Sequence, residues 1–591
     1  MVNQFTKLRW VGQSDSTDCV SGDGYRKTVI VHQVTGSQPS DLAEAWGESV
    51  DATRRTEVSS GAWRFGLTAT GIVGIEFAGR VVSPRIAFTV RDELWASPAL
   101  PMVFDDEDLG RFRADVEGWP LRLEGTVRAE GARLEVDFRI TAAAEVRATR
   151  IGPVMLHERD ALEPSFGYVS DAGTREIALP EAVSVERVAS GFTGLDFETG
   201  GIRVQVEFEG DVFEMEDQRN WGEVTLKSYS PPLGGPELIM AAGETRHYSV
   251  RITATERASA VATEAIAHDA HRHPMPRLGL AHRGGRLPEV AVERLNSLAL
   301  SYLHLLVDLA DPAWRDSLLA DLGAAAQLGV DAVLSVDADP ADDALLRDLA
   351  ALSAGRVSMA YVFDRGLPGT SVELAAAAFG AFAGSRIRVG GGSRAHFATL
   401  SLAGGVPRQL EDVAVAVAVA VHGDERDALV RSFETLPAIT DATRALVGDR
   451  PLLVGPLGFA TTFDSWGPLG TPHDLDGDWT RAHPRDGTEF AAAWLVGSIA
   501  LLASADVERI TVGATFGGRG CLDLVDGHLV ERPTYAALKA LAPMAGSLVT
   551  VARPEPGVVE LTADGALIRA SLRDRPTVTT GQPEAHGAPT G

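Results

Sequence analysis

The chain has 591 residues, 45% of them hydrophobic, which is enough apolar material for about two to four domains with full cores. Its formal net charge of −27 excludes nucleic acid or an anionic membrane surface as the main partner, because both are held by clustered Lys and Arg. Two cysteines, Cys19 and Cys521, form neither a disulfide framework nor a zinc cluster.

The N-terminal segment MVNQFTKLRWVGQ lacks the apolar centre of a signal peptide, and no apolar run has membrane-spanning length. A cytoplasmic protein with no membrane partner is therefore expected. The sequence leaves oligomeric state open.

Residues 1–256 read as an antiparallel β-sandwich. Alternating runs occur at 62-AWRFGLTAT-70, 85-RIAFTVRDEL-94, 121-LRLEGTVRAEGARLEVDFRI-140 and 202-IRVQVEFEGDVFEME-216, and 245-TRHYSVRITAT-255 is read as the last strand. Turns are signalled at Glu130-Gly131, Asp171-Ala172-Gly173 and Thr199-Gly200-Gly201. Residues 257–275 read as a linker. Its His268, His271 and His273 have metal-like spacing, but no carboxylate or Cys completes a set, so a solvated connection is expected.

Residues 276–547 carry eight short apolar runs: 278-LGLAH-282, 302-YLHLLVDL-309, 332-AVLSVD-337, 357-VSMAYVFD-364, 386-RIRVGG-391, 413-VAVAVAVAVH-422, 452-LLVGPL-457 and 509-RITVG-513. Helix-like stretches follow most of them, at 289–300, 312–328, 340–354, 371–383, 424–447, 489–504 and 534–547. This is the rhythm of a (β/α)₈ TIM barrel, whose chemistry sits on the loops after the strands. The connection at 392–411 does not look helical. The one at 458–488 is long, and its Asp474, Asp476 and Asp478 have calcium-loop spacing, but Arg485 stands where that loop needs Glu. No cofactor or metal is therefore expected. A small C-terminal β segment is read at 548–578, and 579–591 as a disordered tail.

Several barrel runs end in groups able to do chemistry. His282, Asp308, Asp337, Asp364 and His422 stand at or near strand ends, and Asp424 follows His422. The competing reading of each Asp is a helix cap, and of each His a hydrogen-bonded core residue. A base would come from Asp308, Asp337, Asp364 or His422, and His422 titrates near neutrality if unperturbed. There is no G-x-S-x-G elbow; the nearest form, 496-VGSIA-500, lies on a helix-like stretch. No nucleotide loop is present either, since 390-GGGSR-394 lacks its context.

The densest passage is 210-GDVFEMEDQRNWGEVTLKSYSPPL-233. Its Glu216, Asp217, Arg219, Asn220, Trp221, Lys227 and Tyr229 are the residue types that bind a polyhydroxylated ligand. They could equally form a salt-bridged buckle between sandwich and barrel. This passage resembles the D-apionate lactonase family, as do 307-VDLADP-312, 314-WRDSLL-319, 421-VHGDE-425 and 517-GGRG-520.

The resemblance implies a β domain, a barrel and a C-terminal β domain, and hydrolysis of a sugar-acid lactone in apiose catabolism. The chain departs from the family pattern at Thr399 and Ser401, where Glu and Asn are expected, and at Ala514 and Gly518, where Glu and Trp are expected. An oxyanion could be met by Arg219, Arg519, Lys227 or the backbone of 517-GGRG-520. The small-molecule partner is thus expected to be a carbohydrate or sugar acid. Two alternatives are carried: a glycoside hydrolase with paired carboxylates drawn from Asp308, Asp337, Asp364 and Glu216, and a non-catalytic carbohydrate-binding homologue.

Overall fold

A computed structural model describes residues 30–32, 40–47, 55–93, 97–105, 108–159, 162, 165–234, 237–257, 271–420, 426–461, 463 and 482–582. The N-terminal region holds two nine-stranded antiparallel sheets that share one apolar core, including Trp63, Phe138, Phe192 and Phe213. Strict alternation along Ile202–Glu209, buried then exposed, is what a sheet with one wet face requires.

The run read as continuous from 202 to 216 is two strands. Ile202–Glu209 pairs within one sheet, while Phe213–Asp217 belongs to the other. The chain crosses between them at Gly210, whose φ is +100°. A Cβ there would lie 2.2 Å from the His247 carbonyl oxygen, so glycine is required. This crossing delivers the dense polar passage to the barrel side of the sandwich.

The eight apolar runs form a closed parallel barrel, with strands Arg277–His282, Tyr302–Asp308, Asp331–Ala338, Val357–Asp364, Arg388–Ser393, Asp412–Ala418, Leu452–Gly458 and Arg509–Ala514. Two glycines make room inside it. A Cβ on Gly279 would meet the Tyr302 ring at 2.2 Å, and one on Gly390 the Tyr361 ring at 2.6 Å.

The region 392–411 does contain a helix, Phe397–Leu402, too short for a periodic pattern. The stretch 424–447 is broken into Arg426–Ser432 and Leu436–Val447. Pro312 and Pro340 lie in turns just ahead of helices starting at Trp314 and Asp343. Asp311 and Asp339 each accept a backbone N–H two residues on, as capping residues do.

Helix Glu489–Ser504 is buried from Phe490 to Ala503, on every side. It lies between the barrel and a five-stranded C-terminal sheet, so no face is left for water. That sheet takes in His273–Pro274, inside the expected linker, and Thr577–Gly581, which reaches into the expected disordered tail. Backbone pairing with neighbouring strands orders both segments, a contact their own composition does not reveal. His273 faces Asp506 at 3.2 Å, while His268 and the Asp474–Asp478 loop lie outside the described residues. Among the described residues no helix is long and apolar enough to cross a membrane.

Candidate active site

The C-terminal mouth of the barrel opens into a cavity of about 610 Å³. Asp308, Asp337, Arg394, Trp314 and Phe463 line its upper part, and His304 and Ser335 are among the residues that line it within the barrel. Register explains the grouping. Asp308 and Asp337 are direct partners on neighbouring strands, and Asp337 is in turn partnered by Phe363. Side chains alternate along a strand, so these three face the same way. Asp364 is one residue further and must face out.

Asp337 is mostly buried and bound to the Arg394 guanidinium at 2.5 Å. Burial raises its proton affinity above the ordinary aspartate range, while Arg394 and Arg365 oppose that and Asp308 adds to it. Arg394 is itself held by three other contacts. Its Nε donates to the Leu367 carbonyl at 2.9 Å, its Nη2 donates to the Asp364 carbonyl at 3.1 Å, and it stacks over the Phe463 ring at 4.3 Å. Asp308 is half-exposed, accepts the Ala310 N–H at 2.8 Å, and lies 3.7 Å from Arg365.

The other candidates sit elsewhere. Asp364 accepts from the backbone N–H of Ser371 and, at 2.7 Å, from its hydroxyl, while Ser371 caps the next helix. His282 is buried with both ring nitrogens engaged: Nε2 lies 2.7 Å from the Gly285 carbonyl and Nδ1 2.8 Å from the Thr515 hydroxyl. Since a carbonyl only accepts, Nε2 carries a proton and, in the neutral ring, Nδ1 accepts. Arg519 is buried above Gly458, where a Cβ would lie 2.2 Å from its Nη2. Its Nη2 donates to the Ala460 carbonyl, and burial lowers its pKa. His422 and Asp424 lie outside the described residues.

The polar groups of the dense passage are mostly engaged with one another and with nearby carbonyls. Asp217 and Arg219 form a buried bidentate pair, 2.6 Å at the closest, and Arg219 also donates to the carbonyls of Pro180 and Glu181. Asn220 donates to the Ser184 carbonyl. Glu216 accepts from Trp221 Nε1 at 2.8 Å and lies 3.3 Å from the Lys227 ammonium. Burial pushes Lys227 down to about 8, with Glu216 opposing it. Tyr229 donates to Glu214, which also accepts from Arg187 and from the Leu233 N–H.

The short helical turn Gln218–Trp221 packs on the barrel against helices Phe397–Leu402 and Leu436–Val447, which follow strands five and six. The Thr435 hydroxyl donates to the Gly222 carbonyl, and Trp221 stands edge-on to His396. A Cβ at Gly222 would lie 3.0 Å from the Ala418 carbonyl oxygen. Glu158 and Arg431 add an ion pair at 3.0 Å across the same junction.

The family departures fall beside these regions. Ala514 packs with Ala281 and Leu306 in a small apolar cluster, and Leu306 also lines the cavity. Thr399 lies on the helix that touches Gln218–Trp221. Among the charged groups that line the cavity, Asp308 and Asp337 come from strands two and three and Arg394 follows strand five.

Sequence reading missed Arg394, His304 and Ser335. A signal was present for the last two, since His304 lies four residues before Asp308 and Ser335 two before Asp337, on the same faces. Arg394 gave none, because a loop arginine has no periodicity.

The description D-apionate lactonase, N-terminal domain, matches residues 43–257, and D-apionate lactonase, TIM barrel domain, matches residues 277–546. The chain belongs to the D-apionate lactonase family. A D-apionate lactonase of Brucella anthropi is 23% identical over 556 residues, covering 85% of this chain and 89% of that protein.

Among solved structures, a GH51 arabinofuranosidase from Xanthomonas axonopodis pv. citri is 11% identical, with a TM-score of 0.37 over 52% of this chain and 83% of that one. A putative aldose 1-epimerase from Escherichia coli K12 is 10% identical, with a TM-score of 0.24 over 34% of this chain and 99% of that one. The family is one of hydrolases.

Proposed function

We propose that this protein hydrolyses a sugar-acid lactone in the barrel-top cavity, as part of cytoplasmic sugar breakdown. The observation that carries the reading is the Asp337–Arg394 pair beside Asp308, on a cavity of about 610 Å³ at the chemically active end of a barrel. Family membership, and the name of the Brucella relative, point to the lactone of D-apionate as the first substrate to try.

Lactone opening needs a proton acceptor for water and a positive partner for the carbonyl oxygen as charge develops. Asp337 has the raised proton affinity of a useful base and is held in place by Arg394. The Arg394 guanidinium, anchored by four contacts, is the cation for the oxyanion. Asp308 and Trp314 supply an acceptor and an apolar face for the hydroxyls and ring carbons of the substrate.

A glycoside-hydrolase reading is also favoured by one observation: Asp308 and Asp337 are partners on adjacent strands and line the same cavity, which puts two carboxylates on one space as a glycosidase requires. An acid-release assay over a panel of aldonolactones, run with Asp337→Asn and beside a panel of aryl glycosides, tests both. Lactone turnover lost in the variant is expected. Turnover of glycosides alone overturns the lactonase reading.

A further inference from the structure

Two polar networks run through the barrel interior. In one, Tyr361 and Arg509 both donate to Asp412, and these groups do not line the cavity. In the other, the Tyr302 hydroxyl lies 3.0 Å from the Thr511 hydroxyl. Thr511 lies 2.9 Å from His304 Nδ1, and His304 Nε2 lies 2.8 Å from Ser335 Oγ. Tyr302 and Thr511 are sealed off below, whereas His304 and Ser335 both reach the cavity wall. A serine and a histidine within hydrogen-bond reach, the histidine oriented by a third group, is the arrangement of an activated nucleophile. It needs no nucleophile elbow, because the barrel strand itself presents Ser335 to the cavity.

We propose that Ser335 is the nucleophile and His304 its base, so that the lactone opens through an acyl-enzyme, which a water deprotonated by Asp337 then cleaves. This rests on the reading of the cavity as a lactone site. In the tautomer that carries the proton on Nδ1, His304 donates to Thr511, and Nε2 is left to accept the Ser335 hydroxyl proton. Ser335 Oγ bonds to the lactone carbonyl carbon, the ring C–O bond breaks, and the proton passes through His304 to the departing ring oxygen. That oxygen becomes a free hydroxyl on the tethered acyl chain.

In the second half, Asp337 takes a proton from water as the water oxygen bonds to the ester carbon. The bond to Ser335 Oγ breaks, and the proton returns to Ser335. The hydroxy acid leaves and ionises. Ser335 and Asp337 are two residues apart on one strand and face the same cavity, so one bound acyl group can be addressed by both. Burial pushes His304 down to about 3, so its resting ring is neutral, and the proton it takes from Ser335 passes straight on to the departing ring oxygen.

The test uses the full chain and two probes. A fluorophosphonate, which needs only an activated serine, is mapped by peptide mass spectrometry on the wild type and on Ser335→Ala and His304→Gln. The expected result is one adduct, on Ser335, absent from the first variant and formed at least about tenfold more slowly in the second. Asp337→Asn is then incubated with whichever lactone the wild type turns over, and an adduct of the lactone's mass is expected on Ser335.

No fluorophosphonate adduct on Ser335, or turnover by Ser335→Ala within about tenfold of wild type, overturns the proposal. Ser335→Cys guards against misfolding: alkylation of that position by iodoacetamide, slowed by His304→Gln, supports the pair, and an unreactive position overturns it. Absence of turnover on every lactone, with Ser335 still labelled, overturns the substrate reading while leaving the nucleophile standing.

Discussion

Two regions of this molecule are dense in charged and hydrogen-bonding residues, and they differ in where those groups point. In the segment from Glu214 to Tyr229, carboxylates, guanidinium, ammonium, amide and indole are largely matched to one another and to nearby carbonyls. In the barrel mouth, Asp308 stays half-exposed, while Asp337 and Arg394 face a cavity. A buried polar group without a partner is costly. A polar cluster that joins two domains must therefore satisfy itself, whereas one that serves a ligand keeps capacity in reserve. Residue density alone does not separate the two.

The contrast can be broken first at Asp337. Asp337→Asn should lower kcat by about 10²–10⁴-fold, the usual contribution of a general base. The melting temperature should change little, because Arg394 keeps its contacts to Leu367, Asp364 and Phe463. A variant within a few-fold of wild-type kcat would remove Asp337 from the mechanism.

Next in size, Asp217→Asn should cost about 3–5 kcal/mol of stability, as expected when a buried pair loses one partner and leaves Arg219 uncompensated. Denaturant unfolding measures this. The fraction that remains folded should turn over at the wild-type rate; a selective loss of kcat without a stability change would place the cluster in the chemistry.

Asp364→Ala is expected to cost less, about 1–3 kcal/mol, because it leaves the Ser371 N–H and hydroxyl without their acceptor. Its kcat should be unchanged, and a thousandfold loss would show that the side chain turns inward during catalysis.

The smallest effect sharpens the comparison through pH. A base must be ionised to act, so kcat/KM should fall as pH drops through the Asp337 pKa, at a limb above the ordinary aspartate range. Arg394 lowers that pKa, so Arg394→Ala should move the limb to higher pH. A limb that stays in place would assign it to another group.

Much of the architecture was legible in the chain. The eight apolar runs mark the eight barrel strands, because strands buried on both faces leave continuous apolar segments in sequence. Asp308 and Asp337 end such runs, and both line the cavity at the barrel mouth.

Asp364 ends one equally well and faces outward. A one-residue offset in register separates it from Asp337, and register is a property of strand pairing across the barrel. The same limit hid the break at Gly210. Alternation continues on either side of it, and only the pairing partners show that the chain changes sheets.

Composition, periodicity and strand-end residues thus determined by themselves the sandwich, the barrel and the strand ends at which its polar groups gather. These are local properties, written in the spacing of apolar side chains. Tertiary structure alone decided which polar groups share a cavity and which neutralise each other. Arg394 reaches Asp337 from another strand's loop, His304 meets Ser335 across two strands, and Arg219 turns back onto Asp217 within a buried turn. Such pairings depend on distances between residues far apart or folded back on themselves, which the order of residues along the chain does not encode until packing brings them together.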